Sequence, residues 1–213
     1  MNVPVLAVCV IMFAAASAVE AQIAYPVDFR ASVLTSGTKR NVSLDNTVTG
    51  RLDAAVTGFE ASVSPASGGG GIGGRILQGN FGADSFLMRE ARVFIGDKAF
   101  FIEGAYGERS LLGSDSTALF SRAGIRSTIP IGGSGVWLSV SGAKYFQGDF
   151  SKKDAASPEK ADGWEGETAI LYATPRFPAF LRFGYRTEYF EIGAREEHMS
   201  GLVLGLGLWL GGR

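Results

Sequence analysis

Hydrophobic and polar residues alternate with a period of two along much of this chain, most clearly in residues 176–191, RFPAFLRFGYRTEYFE. Successive side chains of a strand point to opposite faces, so Arg182, Arg186 and Glu188 share one face. The other face carries aromatic and aliphatic side chains: Leu181, Phe183, Tyr185 and Tyr189. The pattern predicts a strand with one apolar face and one face of glycine and charge.

Ten stretches have this strand character, and most are close to the ~9–11 residues that a tilted transmembrane strand needs. They are residues 26–34, 51–63, 71–80, 86–95, 99–107, 119–129, 136–146, 167–174, 179–190 and 199–210.

The connections between these stretches alternate in length. Four are tight, at residues 64–70, 96–98, 130–135 and 175–178. The others are mostly longer or more polar, at residues 35–50, 80–85, 107–117, 148–167 and 192–198. Short turns on one side and longer loops on the other are typical of a transmembrane barrel of up-and-down hairpins. With ten strands, both termini fall on the short-turn, periplasmic side and every long loop falls outside.

The last stretch, residues 199–210, sets leucines at even positions against mostly glycine at odd positions. A barrel wall can oppose a lipid face of leucine to a glycine-lined interior, whereas a soluble sandwich would place polar residues there. No apolar stretch after residue 21 is long enough for a spanning helix. We therefore predict an all-β fold, a closed antiparallel up-and-down transmembrane β-barrel of ten strands, or of eight if residues 26–63 do not enter the wall.

The first 21 residues combine an apolar run with small residues and an Ala-x-Ala-like ending. This is typical of a secretory signal peptide with cleavage after Ala21, which leaves residues 22–213 as the barrel. The single cysteine, Cys9, lies in the signal peptide, so the mature chain has no disulfide and no thiolate site. Export and the barrel pattern together predict the bacterial outer membrane.

Charged residues fall mainly on the faces that we assign to the barrel interior. Arginine suits buried bidentate pairing with carboxylates, and an interior of about eight strands is just filled by side chains. We expect an interlocked ion-pair network that fills the lumen, with a narrow diffusion channel as the alternative. The residues assigned to the lumen are Asp28, Arg30, Asp53, Glu60, Arg75, Glu90, Arg92, Glu103, Arg122, Arg126, Glu165, Glu167, Arg182, Arg186 and Glu188.

The signal peptide, the alternating strands, the tight turns and the closing Gly205-x-x-Leu208-x-Leu210 resemble small bacterial outer-membrane β-barrel proteins, the class of the outer membrane protein A transmembrane domain. The last motif looks like the C-terminal assembly signal of that class. The resemblance covers residues 22–213 and implies outer-membrane lipid and the barrel assembly machinery as partners. Proteins of that class usually end on an aromatic residue. This chain departs from them, because its last aromatic residue, Trp209, is followed by Leu210-Gly211-Gly212-Arg213.

One candidate for chemistry is His198 with Ser200, which share a face of a strand, and Glu197 beside them. A carboxylate that orients an imidazole next to a serine is the arrangement of an activated nucleophile. The pair is similar to the His-x-Ser pair of outer-membrane lipid A deacylases, which makes a lipid-modifying hydrolase the third functional hypothesis. The same residues also fit an ordinary solvated loop that runs into a strand, and we assign no catalytic site.

The formal net charge of −1 lacks the basic excess of a nucleic-acid binder. The glycine-rich residues 68–74 lack the Lys-Ser/Thr of a phosphate loop, and a hairpin turn explains them. We expect no metal and no cofactor. The leading functional prediction is a structural or surface-exposed barrel, followed by a narrow porin-like channel.

Overall fold

Strands make up almost all of the chain that the computed structural model describes. The described residues are 27–44, 47–97, 99–110, 117–132, 135–146, 150–151, 161–173, 177–192 and 194–211. The predicted signal peptide, residues 1–21, lies outside them. No helix among the described residues is long and apolar enough to cross a membrane.

The strands are β1 (Val27–Leu44), β2 (Thr47–Pro65), β3 (Gly69–Phe81), β4 (Asp84–Gly96), β5 (Phe100–Ser110), β6 (Thr117–Ile131), β7 (Val136–Phe146), β8 (Phe150–Ser151), β9 (Ala161–Ala173), β10 (Ala179–Ile192) and β11 (Arg195–Leu210). Apart from the short β8, each strand pairs in antiparallel fashion with the strands that come before and after it in the chain.

The sheet closes on itself. The first strand pairs with the last, from Phe29 opposite Leu210 to Leu44 opposite Arg195. β5 also pairs with β6, which completes the ring of strands. β8 has two residues and pairs only with the beginning of β6, so the wall has ten strands. The predicted ten-stranded up-and-down barrel is confirmed. The eight-stranded alternative is wrong, because β1 and β2 both lie in the wall.

Val27 and Leu210 lie at the same end of the barrel, called here the termini end, and the opposite end is the hairpin end. The four tight connections lie at the termini end. In one of them, the Asp97 side chain accepts hydrogen bonds of 2.8 Å from the backbone N–H groups of Ala99 and Phe100. Such a carboxylate replaces backbone partners within a turn and fixes its shape.

At the hairpin end the strands are longer than the sequence predicts. The expected loop at residues 35–50 is mostly strand, since β1 runs to Leu44 and β2 begins at Thr47. The expected connection at residues 80–85 is a two-residue turn, and β11 begins three residues before His198. Both faces of these extensions carry polar residues, so the sequence shows no alternation there although backbone pairing continues.

The two faces of the wall differ in polarity as the alternation predicts. The outer face of β10 and β11 is apolar, with Leu181, Phe183, Leu202 and Leu204 more than half exposed. Isoleucines continue the apolar band around the barrel, as Ile72, Ile102 and Ile125 show. The inner face holds most of the buried charged residues.

Aromatic side chains also pack inside the barrel. At the hairpin end a buried layer, called here the aromatic layer, is formed by Phe81, Phe86, Phe120, Tyr145 and Phe190. Its rings meet edge to face, with Tyr145 in contact with both Phe120 and Phe190 at centroid distances of 5.1 and 5.5 Å. Phe180 and Trp209 form a smaller group with Ala173 at the termini end.

Candidate functional site

The middle of the barrel interior is crossed by one arginine. Arg75 projects from β3, and its Nη1 and Nη2 each donate a hydrogen bond of 2.9 Å to the two carboxylate oxygens of Glu165 on β9. Five strand-to-strand steps separate β3 from β9 in either direction, so the pair joins opposite walls. The Tyr145 hydroxyl donates to the same carboxylate at 2.9 Å.

A second arginine extends this contact to neighbouring strands. The Arg122 guanidinium lies 3.0 Å from Glu90, 2.8 Å from Glu103 and 3.3 Å from Glu165. Glu90 is also 3.2 Å from Nε of Arg75. Each carboxylate here contacts more than one guanidinium. Each of the two arginines in turn contacts more than one carboxylate, because its planar fork presents donors in several directions.

The ion pairs continue to the hairpin end. Arg186 contacts both Glu165 at 2.9 Å and Glu188 at 3.2 Å. Arg109, which is fully buried, pairs with Glu188 and with Glu197 at 2.9 Å each. Its guanidinium also lies over the ring of Phe190, 4.5 Å from the centroid. The charged groups are thus embedded in the aromatic layer.

At the termini end, Glu60 is the shared acceptor. It lies 3.4 Å from Arg182, 3.5 Å from Arg92 and 3.8 Å from Arg126. Arg182 is held more tightly by Glu167, to which its Nε donates at 2.8 Å. Glu60 and the three arginines line a cavity of about 80 Å³ inside the barrel.

A buried charge without a partner costs several kcal/mol, so the pairing is a condition for placing these residues inside. Among the residues assigned to the lumen from the sequence, the structure brings the following into contacts within 4.0 Å: Asp28, Arg30, Glu60, Arg75, Glu90, Arg92, Glu103, Arg122, Arg126, Glu165, Glu167, Arg182, Arg186 and Glu188.

The assignment of Asp53 to the lumen is wrong. Asp53 and Glu60 lie seven residues apart on β2, and an odd separation places two side chains on opposite faces of a strand. Asp53 is exposed and stands opposite Lys39 of β1, which is exposed as well.

Among the described residues, three buried charged side chains are missing from the lumen assignment, those of Arg40, Arg109 and Glu197. Arg40 lies in the expected loop at residues 35–50 but is buried, 3.3 Å from Glu197. Glu197 was considered only beside His198. Arg109 lies six residues after Glu103 on β5, and this even spacing places the two side chains on the same inward face. Nothing in the local pattern distinguishes Arg40 from a loop residue.

The three residues considered for catalysis do not come together. His198 Nε2 is 3.1 Å from the hydroxyl of Thr187 on β10, and Ser200 shares its outward face. Glu197 points to the opposite face and is bound by Arg40 and Arg109. The carboxylate that would orient the imidazole is therefore engaged inside the barrel.

No protein-family model matches the chain, and no curated protein does. Among solved structures, the chain is similar to Neisserial surface protein A (NspA), at 13% identity over 88% of this chain and 99% of that one, with a TM-score of 0.41. It is similar to Ail, the attachment invasion locus protein of Yersinia pestis, solved in complex with the heparin analogue sucrose octasulfate, at 11% identity, 84% and 99% coverage and a TM-score of 0.33. It is also similar to the translocator domain of the autotransporter NalP from Neisseria meningitidis, at 10% identity, 95% coverage of both chains and a TM-score of 0.37.

Proposed function

We propose that this protein is a bacterial outer-membrane barrel whose lumen is filled by paired charges, and that it has a structural or surface-exposed role without conducting solutes. The observation that carries the proposal is the bidentate pair of Arg75 and Glu165, which spans the interior between opposite walls. A solute that moves along the axis must pass this pair.

The outer surface supports placement in a membrane. A bilayer requires every backbone polar group of a spanning segment to be satisfied, and closed pairing of all wall strands meets that condition. The apolar outer band, with residues such as Ile102, Phe183 and Leu204 exposed, then meets lipid. Outer-membrane lipid is accordingly a proposed partner, and so is the assembly machinery that inserts such barrels.

The aromatic layer supports a closed lumen at the hairpin end. Phe81, Phe120, Tyr145 and Phe190 are all completely buried. Opening a path would require aromatic rings to leave their packed positions and would leave Arg109 with a poorer partner set. Such a rearrangement removes both apolar burial and charge pairing, which makes it costly.

The proposed orientation sets the termini end toward the periplasm and the hairpin end outward. Tight turns face the periplasm in barrels of this kind. The extended hairpin of β1 and β2 and the hairpin of β10 and β11 then project outside the bilayer, where their polar outer faces meet water. These projections are the surface on which an exposed role would act.

Planar-bilayer recording of the purified, refolded protein tests the proposal against the channel alternative. We expect no reproducible current steps at molar potassium chloride, because paired charges and packed rings leave no continuous water path. The refolded fraction should be checked by its altered gel mobility without boiling, since a closed barrel has no free strand edge and resists detergent.

The variant Phe120→Ala with Phe190→Ala serves as the comparison, since it removes two rings of the aromatic layer and no hydrogen bond to Glu165. Incorporation of both proteins into the bilayer should be matched by recovery from the same vesicles. Regular steps of one size from the wild-type protein would overturn the closed lumen and favour a narrow channel.

A further inference from the structure

The cavity at the termini end is lined by four arginines and three carboxylates, the residues Arg30, Arg92, Arg126 and Arg182 and the residues Asp28, Glu60 and Glu103. Asp28 pairs with Arg30 at 3.1 Å. The guanidinium groups of Arg92, Arg126 and Arg182 converge on the single carboxylate of Glu60. Arg182 also has Glu167 as a close partner. Arg92 and Arg126 are left to share Glu60 at 3.5 and 3.8 Å, which is beyond the usual length of a charge-assisted hydrogen bond.

The second carboxylate near Arg126 does not correct the imbalance. Glu103 lies 3.9 Å from Arg126 but only 2.8 Å from Arg122, which binds it in the centre of the barrel. Nη1 of Arg92 and Nε of Arg126 are both buried and have no hydrogen-bond partner. Single nitrogens of Arg40, Arg75, Arg109 and Arg122 are in the same state, but each of those arginines has a carboxylate oxygen within 3.3 Å. Arg92 as a whole is only 4% exposed. Buried guanidinium nitrogens normally donate a hydrogen bond, so Arg92 and Arg126 together lack an acceptor.

Hydroxyl groups complete the wall of the cavity. Its lining includes five of them, from Ser32, Ser62, Ser64, Thr128 and Ser139. Serine and threonine hydroxyls can donate to an anion whatever its orientation, since the hydrogen rotates. The volume of about 80 Å³ is roughly five to eight times the ~10–15 Å³ that one water needs, which suits a small ion.

The cavity has a neighbour on the side of the termini end. A second, smaller cavity beside the turn at Gly68 and Gly69 shares Asp28, Arg30 and Ser64 with its lining. The aromatic layer lies at the opposite end of the barrel. We therefore expect an ion to reach Arg92 from the side of the chain termini.

We propose that this cavity is a binding site for a small tetrahedral oxyanion of the phosphate or sulfate class, held by Arg92 and Arg126 and by the surrounding hydroxyls. Such an anion supplies several acceptor oxygens to the two arginines that now share Glu60. Guanidinium groups match the spacing of its oxygens and bind it by paired hydrogen bonds. The site requires the barrel but does not require the lumen to be closed at the hairpin end, so it can fail or succeed independently of the proposed function.

Thermal unfolding of the refolded protein, followed while sodium phosphate or sodium sulfate replaces sodium chloride at constant ionic strength, tests the site. We expect a saturable rise in the unfolding midpoint with either oxyanion, because a ligand that binds only the folded state stabilises it. Arg92→Gln should weaken the apparent affinity at least about tenfold, since a hydrogen bond to a charged group is lost.

Arg89→Gln is the matched control, because Arg89 lies on the same strand but is exposed and pairs with Glu108 outside the barrel. The control should bind as the wild type does. An equal rise with chloride, a rise that survives Arg92→Gln, or loss of the rise in Arg89→Gln would each overturn the proposal.

Selenate soaked into crystals of the wild-type protein provides a test that needs no variant. We expect an anomalous peak beside the Arg92 and Arg126 guanidinium groups. Peaks at exposed positions only, or none, would mean an adventitious ion only and would overturn the site even if Arg92→Gln failed to fold.

Discussion

Arg109 on β5 and Glu197 on β11 stand on opposite walls of the barrel, five strand-to-strand steps apart in either direction, and their side chains meet at 2.9 Å. The same guanidinium binds Glu188 at 2.9 Å. Near the hairpin end, one side chain thus links β5 to the neighbouring strands β10 and β11 on the opposite wall. Backbone pairing holds neighbouring strands together, whereas this contact holds the cross-section in shape.

Replacing Arg109 by alanine should lower the free energy of unfolding by about 3–5 kcal/mol, because two buried carboxylates lose their shared partner. Urea unfolding of the refolded protein in lipid vesicles measures the change. Arg89→Ala is the control, since its exposed pair with Glu108 should contribute no more than about 1 kcal/mol. Similar losses in both variants would show that Arg109 is well hydrated.

Replacing Arg75 by lysine keeps the charge but removes the two parallel hydrogen bonds to Glu165. A compact ammonium makes a point contact and cannot reproduce the fork. We expect a loss of about 1.5–3 kcal/mol in the free energy of unfolding, which is the range for a hydrogen bond to a charged group. Arg89→Lys, measured in the same urea titration, should change little, and an unchanged Arg75→Lys midpoint would contradict the importance of the bidentate geometry.

The orientation of the barrel can be measured by labelling single cysteines on intact cells. Ala194 lies exposed between β10 and β11, and Ser67 lies exposed in the turn between β2 and β3 at the opposite end. We expect a membrane-impermeant maleimide to label Ala194→Cys and not Ser67→Cys. Labelling of both after the outer membrane is permeabilised is the control, and the reverse pattern on intact cells would invert the topology.

Replacing Ser200 by alanine should leave lipid A acylation unchanged. Glu197 binds Arg40 and Arg109 inside the barrel and so cannot orient His198, whose Nε2 contacts Thr187 instead. Mass spectrometry of lipid A from cells with wild-type protein, with the variant and with no protein measures the effect. An acylation change that depends on Ser200 would restore the hydrolase hypothesis.

The sequence predicted the fold where each strand has one apolar face and one polar face. Arg182 and Arg186 alternate with Leu181, Phe183 and Tyr185, and that contrast determines which way each side chain points. The same alternation groups most of the charges that the structure buries on one face of the wall strands.

The strand extensions at the hairpin end could not be predicted, because apolar and polar side chains do not alternate there. Beyond the apolar band, Lys39 and Arg40 are neighbours of similar polarity, and only pairing with β2 and β11 turns the second one inward. The aromatic layer could not be predicted for a different reason. A phenylalanine suits lipid and a packed interior equally well, so Phe81 and Phe190 give no sign of the side on which they lie.

The junction of β1 and β11 has a consequence for how the chain folds. Trp209 Nε1 donates to Asp28 at 3.2 Å across a sequence separation of 181 residues, and Arg30 stacks on the indole ring at 3.9 Å. None of these contacts can form until the last strand has been synthesised and delivered. Structures dominated by such distant pairings fold slowly, because the entropy of closing the chain is lost before the contacts form. Until the first strand pairs with the last, the sheet has two unpaired strand edges beside an apolar outer face, a combination that favours aggregation.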